Sequence, residues 1–169
     1  MARKVFVAAT GQNSGKTTTS LSLMYMARKK YRRVGFIKPF GPKPSIARNG
    51  MVVDKDAALM AEVFDLEEDL PLMSPLVLHP GDTQKLLECE LSGAEMERKM
   101  FHAIDELDRK NDFLIIEGAG HTGVGSVLGF SNARVAKIAD APVVMVTGGG
   151  VGNVVDSAYM NLALFEKEQ

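Results

Sequence analysis

The 169-residue chain has one cysteine, Cys89, so it can form no internal disulfide and is expected in a reducing compartment. It has almost no net charge. Twenty Lys and Arg stand against 21 Asp and Glu, a formal −1, which leaves no basic footprint for nucleic acid. No apolar run approaches the ~20 residues of a membrane-crossing helix. The opening MARKVFVAAT has too short an apolar run for a signal peptide and leads into a glycine loop, where a secretory leader would have a cleavage site. The three histidines, His79, His102 and His121, are far apart and not at metal-ligand spacing. There is no internal repeat and no linker. A single cytoplasmic domain over residues 1–169, with no nucleic-acid or membrane partner, is the expectation.

Against those gaps stands an ordinary globular supply of apolar residues, 46% of the chain, in short runs that alternate with helical patterns. Apolar runs predict strands at 5–9, 34–38, 113–116 and in PVVMVT (142–147). The spacing of apolar residues predicts helices at 16–30, 55–64, from Ser92 onward, at 134–139 and at 153–167. Asp54 is placed to cap the second helix. Ser92 and Glu95 form a capping box for the third, whose Phe101, Ile104 and Leu107 share a face. Val154, Ala158, Leu162 and Phe165 form one stripe on the last helix. GPKPSIARNG reads as an exposed loop, and LPLMSPLVLHPGD as irregular, because both are broken by proline or glycine. Strands without polar alternation, alternating with helices, predict an α/β fold: a mostly parallel sheet with helices on both faces.

The chemistry gathers where strands end. After the first strand comes TGQNSGKTTTS. Gly11 and Gly15 let backbone N–H groups turn inward, Lys16 offers a point charge, and the Thr17 hydroxyl suits a hard cation. Thr10 occupies the place of the first glycine in the usual G-x-x-x-x-G-K-[ST] spacing. The segment from Thr10 through Gln12, Asn13 and Ser14 to Thr18 is therefore a candidate phosphate cradle. Glu117 follows four apolar residues and precedes Gly118 and Gly120, a carboxylate at a strand end beside a glycine turn. Asp54 and Asp56 read equally as a cap with a dipole-favoured charge or as metal ligands. Lys38 reads as an edge lysine or as a ligand contact. His121 lies in the glycine loop, His102 reads as structural, and Cys89 as inert. GGGVG (148–152) reads equally as a tight turn or a second anion site.

T-G-x-x-x-G-K-T, with GFIKP, VDKDAALM and IIEGAGHTGVGSV, resembles dethiobiotin synthetase and cobyrinic acid a,c-diamide synthase. It is more similar still to the dethiobiotin-synthetase-like domain at the N-terminus of some phosphotransacetylases. Partition-type ATPases carry a second lysine where this chain has Gly11. The resemblance implies a P-loop NTPase-type three-layer sandwich that binds ATP and Mg²⁺. It implies Lys16 and Lys38 as catalytic groups, Thr17, Asp56 and Glu117 as metal ligands, and Gly118 and Gly120 in a loop over the nucleotide. It also implies a homodimer and a carboxylate or carbamate substrate that ATP phosphorylates and an amine then attacks. The alternative is a nucleotide-binding regulatory domain without turnover. The synthetases read the base with a later strand, which this chain is expected to lack.

Overall fold

A computed structural model describes residues 1–88 and 91–168. Cys89 lies outside the described residues. Four strands form the main sheet: β1 (Arg3–Ala9), β2 (Val34–Ile37), β5 (Phe113–Glu117) and β6 (Val143–Val146). Their order is β2-β5-β1-β6, and all three pairings are parallel. Because every strand runs the same way, their carboxyl ends share one edge, where the glycine loops and charged residues emerge.

Helices cover both faces. Side chains alternate across a strand, so neighbours on β1 face opposite layers. Val5 and Val7 pack with Met24 of α1 (Lys16–Ala27), with Ala57 and Met60 of α2 (Lys55–Phe64), and with Met73 of α3 (Leu70–Met73). Phe6 and Ala8 pack with Met100, Ile104 and Leu107 of α5 (Gly93–Lys110) and Val135 of α6 (Asn132–Ile138). The expected α/β three-layer architecture is what forms.

Several local expectations are corrected. GPKPSIARNG contains one strand of a small antiparallel hairpin, β3 (Pro44–Ile46), paired with β4 (Val52–Asp54). Turn composition hid strands of only three residues, too short to show alternation. The proline-broken stretch holds α3, and α4 (Asp82–Leu87) follows it; proline at the start of α3 is tolerated because the first helical N–H groups have no partner to lose. The first helix ends at Ala27, so Arg28 meets a neighbour: its guanidinium donates to the Phe64 carbonyl at the end of α2, 3.0 Å away. β6 was expected to be buried, yet Val143 and Val144 are 38% and 42% exposed. Among the described residues it pairs only with β1, and α7 (Val151–Glu168) buries none of its residues. The stripe on α7 is accordingly half-buried at Val154, Ala158 and Phe165 and exposed at Leu162. His102 and His121 are exposed. Gly148 to Gly150 are exposed too, with nothing close enough to meet an added side chain.

Candidate active site

The glycine loop leaves β1 and enters α1 through Gly15, whose φ of 91° is left-handed and favours glycine. No side chain caps α1, so its first N–H groups point into the loop and are available to an anion. Lys16 is buried. Its ammonium donates to the Gly120 carbonyl at 2.8 Å and the Gly11 carbonyl at 3.4 Å. The two glycine-rich segments are thus bridged by the lysine that a phosphate would attract.

Beside this loop Lys38, Asp56 and Glu117 meet. Lys38 follows β2, and its amide is held by the Met73 carbonyl at 2.8 Å. Its ammonium sits 2.8 Å from Glu117 Oε1 and also bonds Asp56 Oδ2. The Thr17 hydroxyl lies 3.3 Å from Glu117 Oε1. Glu117 is fully buried, and Lys38 and Asp56 are 4% and 7% exposed. The second oxygen of Glu117, Oε2, is buried with no hydrogen-bond partner among the described residues. A carboxylate oxygen in that condition is costly unless something satisfies it.

The supports behind these groups are specific. Asp54 caps α2, as expected: Oδ1 accepts from the Asp56 amide at 2.9 Å, fixing the first turn that carries Asp56. Oδ2 accepts from the Lys43 amide at 3.3 Å, tying the hairpin to the same carboxylate. Gly41 passes so close that an added Cβ would lie 2.2 Å from Asp54 Oδ2, so only glycine fits there. Asn132, which follows the α6 cap Ser131, clamps the turn after β5. Its amide donates to the carbonyls of Ala119 and His121, both at 2.6 Å, and its Oδ1 accepts from the Ala119 amide at 3.1 Å. The sequence gives no sign of that clamp beyond a Ser-Asn pair before a helix.

Charge sets the ionisation states. Burial, then the Lys38 charge, lowers the Lys16 ammonium from its ordinary value, against Glu117 and Asp56. Burial also pulls on Lys38, but Glu117, Asp54 and Asp56 outweigh it and raise the ammonium. Burial pushes Asp56 upward; the charge of Lys38 and its hydrogen bond outweigh it, and the carboxyl lies below its ordinary value. At Asp54 burial prevails and the carboxyl is raised. At neutral pH the cluster therefore holds a charged lysine against ionised Asp56.

One cavity of about 400 Å³ joins these groups. Gln12, Asn13, Ser14, Gly15, Lys16, Thr17 and Thr18 form one wall, with Gly120 beside them. Lys38, Asp56 and Glu117 form its floor, and Pro42, Lys43, Lys55 and Leu59 continue it toward the hairpin. Thr10, Gly11 and Gly118 do not line it. An added Cβ at Gly118 would meet Asn132 at 2.7 Å, so that glycine serves the turn's packing. His121 does not line the cavity either. Lys43 and Lys55 were not foreseen; their signal was only position beside a loop and a helix start.

Residues 3–169 match the AAA_26 family, an AAA domain. The chain is 27% identical over 154 residues to the ATP-dependent dethiobiotin synthetase BioD of Methanocaldococcus jannaschii, covering 89% of this chain and 68% of that protein. It is 24% identical over 187 residues to the cobyric acid synthase of Lachnoclostridium phytofermentans, covering 100% of this chain but 36% of that protein. The chain thus spans about two thirds of one relative and little more than a third of the other. Among solved structures, the chimerical protein CapA2B2 shares the fold with a TM-score of 0.58 at 17% identity, covering 99% of this chain and 72% of that one.

Proposed function

Since the chain belongs to the AAA_26 family of AAA domains, we propose that it binds Mg-ATP and transfers the terminal phosphoryl group to a carboxylate or carbamate, as the first half of an amide- or ring-forming ligation. The observation that carries this reading is the single cavity in which the phosphate loop faces the buried Lys38–Asp56–Glu117 cluster. The likeness to an ATP-dependent dethiobiotin synthetase supports it.

The residues present suit a magnesium ion. Thr17, Asp56 and Glu117 offer hard oxygen ligands, and Glu117 Oε2 has its coordinating capacity unused. Among the described residues no three His, Cys, Asp or Glu side chains form a metal cage. Two carboxylates and a hydroxyl are what a magnesium ion takes when it also binds phosphate oxygens. Bound there, the ion would neutralise charge on the phosphates. The chain's own groups do the rest. The amides of 12–16 and the start of α1 hold the phosphates, and Lys16 exchanges the Gly120 carbonyl for a phosphate oxygen. Lys38 holds the acceptor carboxylate near the transferred group and offsets the charge that builds there. The acceptor oxygen bonds to phosphorus, ADP leaves, and an amine substrate later displaces the phosphate.

Calorimetric titration with Mg-ATP tests the binding half. Lys16→Ala should weaken binding by about 10-fold or more, since the charge-assisted hydrogen bond to phosphate, at ~1.5 kcal/mol, is lost. Wild-type protein that binds no nucleotide would overturn the reading. ADP release on adding carboxylates with an amine tests the transfer half. A homodimer and a cytoplasmic location belong to the same reading; light scattering and fractionation test them.

A second reading, nucleotide binding without turnover, is favoured by one observation. The cavity takes no lining from the 147–152 segment at the β6 end, where Gly148 to Gly150 are exposed. It predicts saturable ATP binding and no ADP release with any acceptor.

A further inference from the structure

Two carboxylates buried side by side need a positive partner, and in this structure that partner is internal. The Lys38 ammonium bonds Asp56 Oδ2 and, at 2.8 Å, Glu117 Oε1. Thr17 Oγ1 approaches the same Glu117 oxygen at 3.3 Å. The ammonium therefore stands among the three side chains read above as metal ligands. An ammonium and a divalent ion cannot share that space, because their charges repel and each needs the same oxygen lone pairs.

We propose that Lys38 is a built-in cation that keeps the metal position filled until nucleotide arrives, so that the divalent ion enters only together with phosphate. The inference rests on the assignment of Thr17, Asp56 and Glu117 as the ion's ligands. To admit the ion alone, Lys38 must leave two buried carboxylates for a cavity that already holds the Lys16 ammonium and is edged by Lys43 and Lys55. None of the three offers it an acceptor. With phosphates on the glycine loop, the same movement takes Lys38 to an anion. The scarcity of protein ligands points the same way, since two carboxylates and a hydroxyl leave most of a six-coordinate shell to phosphate and water. Metal and nucleotide are then coupled through one side chain, and the coupling is reciprocal: each ligand raises the affinity of the other by the same factor.

The test uses manganese as a paramagnetic stand-in for magnesium. Nucleotide-free wild type, Lys38→Met and Lys38→Gln are titrated with Mn²⁺ and followed by electron paramagnetic resonance, with circular dichroism reporting the fold. Removing the ammonium should tighten Mn²⁺ binding by about 10-fold or more, within the usual range of coupling between sites. A merely structural lysine would not yield a gain. Wild type that binds Mn²⁺ as tightly as a folded Lys38 variant would overturn the proposal.

A measurement on wild type alone covers the case in which both variants unfold. Amide signals of Gly15 and Thr17 should stay sharp when Mn²⁺ is added to the free protein and broaden once ADP is present. Broadening without ADP would overturn the proposal. If Mn²⁺ reaches neither the free nor the ADP-loaded protein although ADP binds, the metal-ligand assignment itself fails. If ADP does not bind, the nucleotide reading fails first.

Discussion

The two sides of the sheet's carboxyl edge are built to different standards. Over β2, β5 and β1, every strand has neighbours or helices on both faces, and Phe36, Ile115 and Ile116 are fully buried. Charged groups sit there only because each has a partner: Lys38 with two carboxylates, Asp54 with two amides. At β6 and α7 the same sheet is half open. Valines 143 and 144 and Tyr159, Met160 and Leu162 face outward, and α7 packs mainly on α6. Close packing surrounds the charged groups of the candidate site, and sparse packing is left to β6 and α7.

Truncation within the two regions should break this contrast most visibly. Ile115→Ala removes a side chain packed in the layer of α1 and α2 and should cost about 2–5 kcal/mol in denaturant unfolding. Val144→Ala on β6 should cost less than about 1 kcal/mol, because that residue is already 42% exposed. Equal costs would mean that β6 is covered in solution.

Acid sharpens the comparison next, through Asp56. Its folded carboxyl lies below the ordinary value of 3.8, so its stabilising effect is complete above that value. The effect is lost as pH falls through the lower folded value. Asp56→Asn should therefore melt lower than wild type at pH 7, with the gap closing as both are acidified. Asp54, raised by burial, works in the opposite sense between 3.8 and its folded value and softens the acid limb of the wild type. A gap that stays constant with pH would mean that Asp56 does not gain its stability from Lys38.

The smallest effect belongs to α7. Tyr159→Ser should change stability by no more than about 0.5 kcal/mol and leave ATP binding intact, because the ring is exposed and distant in sequence from the cavity lining. Thermal melts and calorimetry on the same preparation check both halves.

Much of this was readable along the chain. Strand–helix alternation, short apolar runs and capping residues are local signals, and they gave the α/β layers and the caps at Asp54 and Ser92. Lys16, Thr17 and Glu117 could be singled out because a glycine loop after a buried strand is a local event too. The hairpin was missed because three-residue strands carry no periodicity, and the exposure of β6 because apolar composition does not reveal whether a neighbour covers it.

Spacing and backbone preference, which act over a few residues, were enough to place the main-sheet strands and the longer helices and to show which side chains carry charge at strand ends. The folding of the whole chain decided that Lys38 stands between Asp56 and Glu117, residues 18 and 79 positions away. It also decided that Asn132 clamps the turn after β5 and that β6 remains an open edge. Those outcomes depend on strand order and on which helices return to which face, and no stretch of chain contains that information alone.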